Sequence, residues 1–490
     1  MKLLKASSVF LMLGMSLWSC TPKNNGEKTA LADVQSVSNE KNSLIKEVAA
    51  TPPMGWNSFD AYDCRINEKE YLETVDFMAE NLLDAGWEYA VIDYVWFNHE
   101  PGNWNNPKRR FGHPDVRLDK DGVPIDKLVM DEYGRLLPSE ERFPSAKNGV
   151  GFKKLAEYVH SKGMKFGIHI MRGIPREAYY NELPIKGTKY TAKDIGEPWD
   201  TCPWQNNMFG VDPTKPGAQE YYNSIFELYA EWGVDFIKAD DMMVPPYHKG
   251  EIEMMRKAID NSGRPMVLSL SCGEAPLSRA NHLAENANMW RISADFWDKW
   301  SSLEHNFELL EEWSSHIQPH HWPDGDMLPI GHLSMNGRPH GPDRMSQFTK
   351  PEHYTLLTLW SIVRSPLMMG GDLMTTEQWV IDMLKNKDVY YINQHSTDNR
   401  QVYRKENAAC WIAKDEKSED RFVALFNLKD KTSKVNFDAE YEYMRELYNV
   451  TDIWTGESVG QVEGTLEVTI PAHGARLFRF SEVSKDLANK

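Results

Sequence analysis

From Thr51 to about residue 393 the chain alternates short apolar runs with longer amphipathic stretches. That alternation marks βα units wound into a parallel sheet, because each parallel crossover needs a helix-length segment to bring the chain back. Strands are expected near Gly55–Phe59, Tyr89–Trp96, Lys165–Met171, Asp235–Ala239, Met266–Ser271, Met289–Ser293 and Ser365–Met369, with an eighth near Met327–Ile330. Helical patterning lies between them, as at Glu68–Ala85, Phe152–Lys162, Gly217–Trp232 and Lys350–Val363. Gly86, Gly163 and Gly233 fall just before strands, where a helix C-cap glycine supplies the left-handed turn. Residues 50–393 are therefore expected to form a (β/α)8 TIM barrel. After Gln394 the texture changes to alternating stretches such as Arg421–Phe426, Leu447–Trp454 and Gly464–Ile470, separated by polar turns. Residues 394–490 are expected to close the chain as an antiparallel β-sandwich with a structural role.

Two strand tips carry the chemistry. Asp235-Phe-Ile-Lys-Ala-Asp-Asp241 and Trp290-Arg-Ile-Ser-Ala-Asp-Phe-Trp297 each end in carboxylates with a cation just before them. In a barrel the C-terminal strand tips form the active-site face. Two carboxyl groups on that face, from different strands, are what hydrolysis of a glycosidic bond requires. A bland alternative has these aspartates capping helices or pairing with Lys238 and Arg291; two such tips in one chain weigh against it. Asp241 and Asp298 are rivals for the two positions, Asp241 being expected to face the other side of its strand.

At 490 residues the chain is long enough for a barrel and a smaller module. A net charge of -17 argues against nucleic acid or an anionic membrane surface as a partner. The 17 Trp and 20 Tyr suit a carbohydrate ligand, since their ring faces stack on sugar C–H faces. No Walker or Rossmann glycine loop is present, so no nucleotide cofactor is expected.

The first residues read as targeting. Lys2 and Lys5 precede a short apolar stretch, Ala6 to Trp18, too short to span a bilayer. Leu17-Trp-Ser-Cys20 resembles a bacterial lipobox, which implies a signal peptide over 1–19 and lipidation of Cys20. Residues 20–49 then read as a flexible tether. Lysine rather than acidic residues after Cys20 favours a periplasm-facing outer-membrane anchor over the cell surface. Cys64, Cys202, Cys272 and Cys410 are widely spaced with no CxxC pair, so no zinc site is expected and few or no disulfides. His316, His320 and His321 are the most metal-like cluster, but adjacent strand histidines face opposite sides and read better as rim residues. Asp119-Lys-Asp-Gly122 and Glu132-Tyr-Gly-Arg135 read as hairpin turns rather than calcium loops, and Lys108-Arg-Arg110 as a solvated loop.

Thr51-Pro-Pro-Met-Gly-Trp-Asn-Ser58, Glu88-Tyr-Ala-Val-Ile-Asp93 with Trp96, Lys165-Phe-Gly-Ile168, Trp232-Gly-Val-Asp-Phe-Ile-Lys-Ala-Asp240, Arg291 to Asp295, Asp324-Gly-Asp-Met-Leu328 and Ser365-Pro-Leu-Met368 occur in the order seen in glycoside hydrolase family 27. The chain resembles that family, whose members include α-galactosidases and α-N-acetylgalactosaminidases, over roughly residues 50–480. The resemblance implies Asp240 as nucleophile and Asp295 as general acid/base, with retention of configuration. It also implies sugar contacts from Asp93, Lys238, Arg291 and Asp326, with Trp56, Tyr94 and His169 as further pocket residues. Several positions depart from the family pattern. Asp93-Tyr94 replaces two consecutive aspartates, His169 and Met171 stand where a tyrosine and an aspartate are common, and Phe59 stands where tryptophan is frequent. Glu274 lies in a loop only loosely similar to the family's. The expectation is a lipid-anchored retaining exo-glycosidase for terminal α-linked D-galactose, without cofactor or metal. A β-L-arabinopyranosidase is the alternative that Tyr94 suggests, and a non-catalytic glycan-binding lipoprotein is the other. Composition does not decide the oligomeric state.

Overall fold

The computed structural model describes residues 43–99, 101, 117–118, 124–125, 127–243, 245–335, 341–405 and 407–483. Cys20, the expected signal peptide, most of the tether, Lys108-Arg-Arg110 and the Asp119–Gly122 turn lie outside the described residues. The short pairs that flank that last turn do join antiparallel, Arg117 opposite Ile125.

Eight parallel strands form the barrel: β1 (Met54–Asn57), β2 (Tyr89–Ile92), β3 (Lys165–Met171), β4 (Phe236–Asp240), β5 (Val267–Leu270), β6 (Met289–Arg291), β7 (Trp322–Asp324) and β8 (Leu367–Met369). They neighbour one another in the order β7-β6-β5-β4-β3-β2-β1-β8. Leu328 joins the two ends, bridging Met369 in parallel. The seventh strand thus lies earlier than the expected Met327–Ile330. Asp326, at φ +88°, turns the backbone out of the extended form and splits that run into a strand and a bridging residue.

A helix follows each strand: α1 (Glu68–Asn81), α2 (Lys153–Ser161), α3 (Ala218–Trp232), α4 (Lys249–Ser262), α5 (Ala280–Asn286), α6 (Trp300–Trp313), α7 (Lys350–Ile362) and α8 (Lys387–His395). Asn67 and Thr349 begin α1 and α7 with capping boxes, each returned by a glutamate three residues on. Gly86, Gly163 and Gly233 take φ of +99°, +78° and +84°, the left-handed turn into β2, β3 and β4.

The lower barrel is filled by Tyr89, Phe236, Val267, Met289, Trp322 and Met368, with Val48 and Ala49 packed beneath them. Here the expected tether is corrected. Leu44–Glu47 form a 3-10 turn with Ile45 buried. Asn288 donates to the Ile45 carbonyl at 2.9 Å and the Trp322 indole to that of Ala49 at 2.8 Å. Three apolar side chains close together plug an open barrel end, which gives this short strap enough burial to dock.

The sandwich has strands β9 (Ser396–Lys405), β10 (Ala408–Asp415), β11 (Arg421–Asn427), β12 (Ser433–Asp438), β13 (Tyr448–Asp452), β14 (Ser458–Val462), β15 (Thr465–Ile470) and β16 (Ala475–Glu482). Its sheets run β9-β10-β11-β16-β13-β14 and β12-β15. β11 shows why this module is fixed to the barrel. Val423 and Leu425 face the sandwich core, while Phe422, Ala424 and Phe426 join the core of the barrel. The Trp454 indole donates to Thr358 Oγ1 of α7 at 2.8 Å, and Arg364 donates to the carbonyls of Asn393, Gln394 and Ser396 at the junction.

Candidate active site

The strand tips converge on a cavity of about 390 Å³ at the C-terminal face of the barrel, lined by Asp93, Tyr94, Lys238, Asp240, Arg291, Asp295 and Asp326 among others. That volume lies in the ordinary range for a small-molecule site.

Period-two alternation on β4 turns Lys238 and Asp240 inward together. Lys238 Nζ donates to Asp93 Oδ2 at 2.8 Å, and Asn57 Nδ2 reaches the same oxygen at 2.7 Å. Burial opposes the charge on Asp93, but the Lys238 ammonium and His169 hold its carboxyl below the usual range. Burial likewise opposes the Lys238 charge, and Asp93 more than restores it. Asp240 Oδ2 pairs with His169 Nε2 at 3.1 Å, and Oδ1 accepts the Asp241 N–H at 2.8 Å. Burial works against its ionisation, but the His169 contact, Lys238 and that N–H hold its carboxyl far below the ordinary value. Asp240 is thus a half-buried carboxylate held toward its charged form, the state a nucleophile needs.

Arg291 stands opposite. Its Nη2 lies 2.7 Å from Asp295 Oδ1 and its Nη1 3.5 Å from Asp326 Oδ2, while Nε donates to the Ser293 carbonyl. Asp295 keeps 61% of its side chain exposed, against 16% for Asp240. Asp326 accepts the N–H groups of Phe296 and Met327, which fixes its carboxyl at the wall.

The rivals are engaged elsewhere. Asp241 turns away to Arg172, 2.9 Å from its Nε, and Arg172 also pairs with Asp200 and Glu251. Burial pushes the Asp241 carboxyl up to about 7 despite that arginine. Asp298 is buried under the Arg344 fork and also accepts the Gln347 N–H.

Two expected pocket residues sit differently. Trp56 is fully buried outside the cavity and donates its indole N–H to the Gly371 carbonyl at 2.8 Å. Alternation along β1 turns Asn57 inward to Asp93, so Trp56 faces the helices, against Tyr62 and Tyr71. Phe59 lines the cavity instead. His169 reaches the site by way of Asp240 and is not part of the cavity wall.

Four features were not read from the sequence. Asp60 and Trp204 line the cavity, Cys272 does so in place of the exposed Glu274, and Gln205 hydrogen-bonds the Tyr94 hydroxyl. Asp60 lies three residues past β1, so the strand-tip rule applied to Asp240 would have found it. Trp204 and Gln205 come from the long β3–α3 insertion, where no periodicity points inward.

Cys64, Cys202, Cys272 and Cys410 are all free thiols. His320 and His321 bond the carbonyls of Val48 and Ala287 at the far end of the barrel from the cavity. Among the described residues the three-ligand grouping that could hold a metal is Asp200, His248 and Glu251. The Arg172 guanidinium already bonds two of the three, Asp200 and Glu251.

Residues 213–395 match the alpha galactosidase A family model, and 405–480 that of the alpha galactosidase C-terminal beta sandwich domain. A β-L-arabinopyranosidase from Geobacillus stearothermophilus, solved in complex with arabinose, is 44% identical with a TM-score of 0.85, covering 90% of this chain and 100% of its own. A putative α-N-acetylgalactosaminidase from Bacillus halodurans is 42% identical with a TM-score of 0.77, covering 88% and 97%. Alpha-galactosidase 2 of Arabidopsis thaliana is 25% identical over 439 residues, 88% of this chain and 89% of that one. With its barrel, its sandwich and its facing carboxylates, this chain belongs to glycoside hydrolase family 27 and is a glycoside hydrolase.

Proposed function

We propose that the protein is a retaining exo-β-L-arabinopyranosidase, releasing a terminal galactose-like sugar that lacks the C6 hydroxymethyl. The observation that carries this reading is Tyr94, a buried aromatic beside Asp93, tied to Gln205 and standing edge-on to His169 at 5.5 Å. A ring there takes the volume into which a hydroxymethyl group would project. The similarity to the Geobacillus stearothermophilus β-L-arabinopyranosidase supports it. α-D-Galactose, the first expectation from the sequence, remains the second reading, supported by relatives named alpha-galactosidases.

In the proposed reaction an Asp240 oxygen bonds to the anomeric carbon as the glycosidic C–O bond breaks. Asp295 gives its proton to the leaving oxygen. Asp295 then takes a proton from water, the hydroxide attacks the anomeric carbon, and the Asp240–sugar ester opens. Arg291 orients Asp295 through its fork, and Lys238 with Asp93 offers a fixed donor–acceptor pair to sugar hydroxyls. No cofactor enters these steps. For location, we propose lipid anchorage at Cys20 in the cell envelope, facing the periplasm.

The test is release of p-nitrophenol from the β-L-arabinopyranoside and the α-D-galactopyranoside by the chain lacking residues 1–20. A higher kcat/KM on the arabinoside supports the reading. A higher one on the galactoside overturns it in favour of α-galactosidase.

A further inference from the structure

Asp60 has no place in the steps above, yet it shares the cavity with every group that does. It lies on the single turn Phe59–Tyr62 just past β1, its backbone tied down where its carbonyl accepts the Ser334 N–H at 2.8 Å. Its side chain is 97% buried, and Oδ2 has no hydrogen-bond partner. The wall beside it is bare backbone: a Cβ added to Gly370 would come within 2.0 Å of Oδ2. Gly370 therefore leaves the space that this carboxyl fills.

A buried carboxyl left without a partner is costly, and one on a cavity-lining residue recovers that cost when a ligand supplies a partner. The surrounding charges decide the form of the carboxyl. Burial raises its pKa well above the usual value, Asp326 adds to this, Lys238 opposes it, and Asp93 and Asp295 push upward again. Burial and its acidic neighbours thus favour the neutral form of Asp60, whereas Asp93, Asp326 and Asp295 contact Lys238 or Arg291 and Asp240 contacts His169. A neutral carboxyl both donates and accepts, as does a sugar hydroxyl.

We propose that Asp60 is a sugar-binding residue of this pocket, hydrogen-bonding one ring hydroxyl of the terminal pyranose. The proposal rests on the glycosidase reading for its ligand but not on which sugar that is.

The experiment compares wild type with Asp60→Ala, Asp60→Leu and Asp60→Asn on whichever parent p-nitrophenyl glycoside wild type cleaves faster, and on its 2-, 3- and 4-deoxy analogues. A wrong sugar in the specificity reading therefore leaves this test intact. Asp60→Ala should lower kcat/KM on the parent by about 10–100-fold. Asp60→Leu fills the same space without polarity and should behave alike, so a folding failure of one variant leaves the other. Asp60→Asn keeps a donor and an acceptor and should stay within about tenfold of wild type. On one of the three deoxy substrates the loss should vanish, because the hydroxyl that Asp60 holds is gone. An equal loss on all three deoxy substrates, or no loss on the parent, overturns the proposal and leaves Asp60 a packing residue.

Discussion

Gln205 hydrogen-bonds the Tyr94 hydroxyl, joining the β3–α3 insertion to the residue immediately after Asp93 at the tip of β2. Both side chains are buried, and the tyrosine ring also meets Phe97 edge-on. Tyr94 is therefore held from several sides and cannot swing clear of an incoming sugar without breaking those contacts.

Replacing that ring should change which sugar is preferred. Tyr94→Asp removes the bulk and places a carboxylate beside Asp93, where a C6 hydroxyl could reach it. The ratio of kcat/KM for the α-D-galactopyranoside over the β-L-arabinopyranoside should rise by about 10–100-fold. Steady-state assays on the two p-nitrophenyl glycosides give the ratio, and an unchanged value would show that Tyr94 does not set specificity.

His169 should act on the pH profile more than on substrate binding. Its Nε2 contact helps hold the Asp240 carboxyl far down. In the proposed mechanism Asp240 must be ionised to attack, so losing that stabilisation should raise its pKa and move the acid limb of kcat/KM upward. His169→Ala should shift that limb by roughly one pH unit or more, with a smaller change in KM. An acid limb that stays in place would assign Asp240's charge to Lys238 and the backbone.

As the proposed proton donor, Asp295 should matter in proportion to the leaving group's need. Asp295→Ala should lose about 100-fold or more on alkyl glycosides but far less on activated aryl glycosides in the glycosylation step. Added azide should speed its turnover and yield a glycosyl azide, since a small anion needs no general base. Product analysis by NMR reads both the azide and its configuration. Equal losses on alkyl and aryl substrates would remove Asp295 from the acid role.

Asp324 should make the fold sensitive to alkali. Burial, then Asp326, push its carboxyl up to about 7, above its value in an unfolded chain. A carboxyl raised on folding favours the protonated native state, so its contribution is full below about pH 4 and is lost as pH rises through about 7. Asp324→Asn keeps an oxygen for the Asp326 N–H that Asp324 Oδ1 now accepts at 3.0 Å. The melting temperature of wild type relative to this variant should therefore fall between pH 5 and 8. A constant difference across that range would mean the group does not titrate there.

Much of this architecture could be read along the chain, for local reasons. Apolar runs, helical periods and the three pre-strand glycines mark βα units wherever they occur, and seven of the eight barrel strands fell within a few residues of their expected places. The seventh did not, because Asp326 adopts a left-handed backbone that no period encodes. The docked strap at Leu44–Glu47 was also hidden. Its few apolar residues look like a tether until the open barrel end is there to receive them.

The site divides in the same way. Asp240, Lys238, Arg291 and Asp295 belong to short contiguous motifs, and strand alternation says that Lys238 and Asp240 face the same side. Trp56 belongs to such a motif too, yet its direction depended on where β1 begins, and one residue of phase turns it from the cavity to the helices. Asp60, Gly370, Tyr94 and Gln205 meet across distances of 111 to 310 residues in the chain. The sequence by itself determined the family and the barrel and singled out the candidate carboxylates, because each is carried by local pattern. Only the tertiary structure decided which carboxyls are pushed toward the charged or the neutral form and which residues line the cavity, because those depend on burial and on neighbours that the chain brings together only by folding.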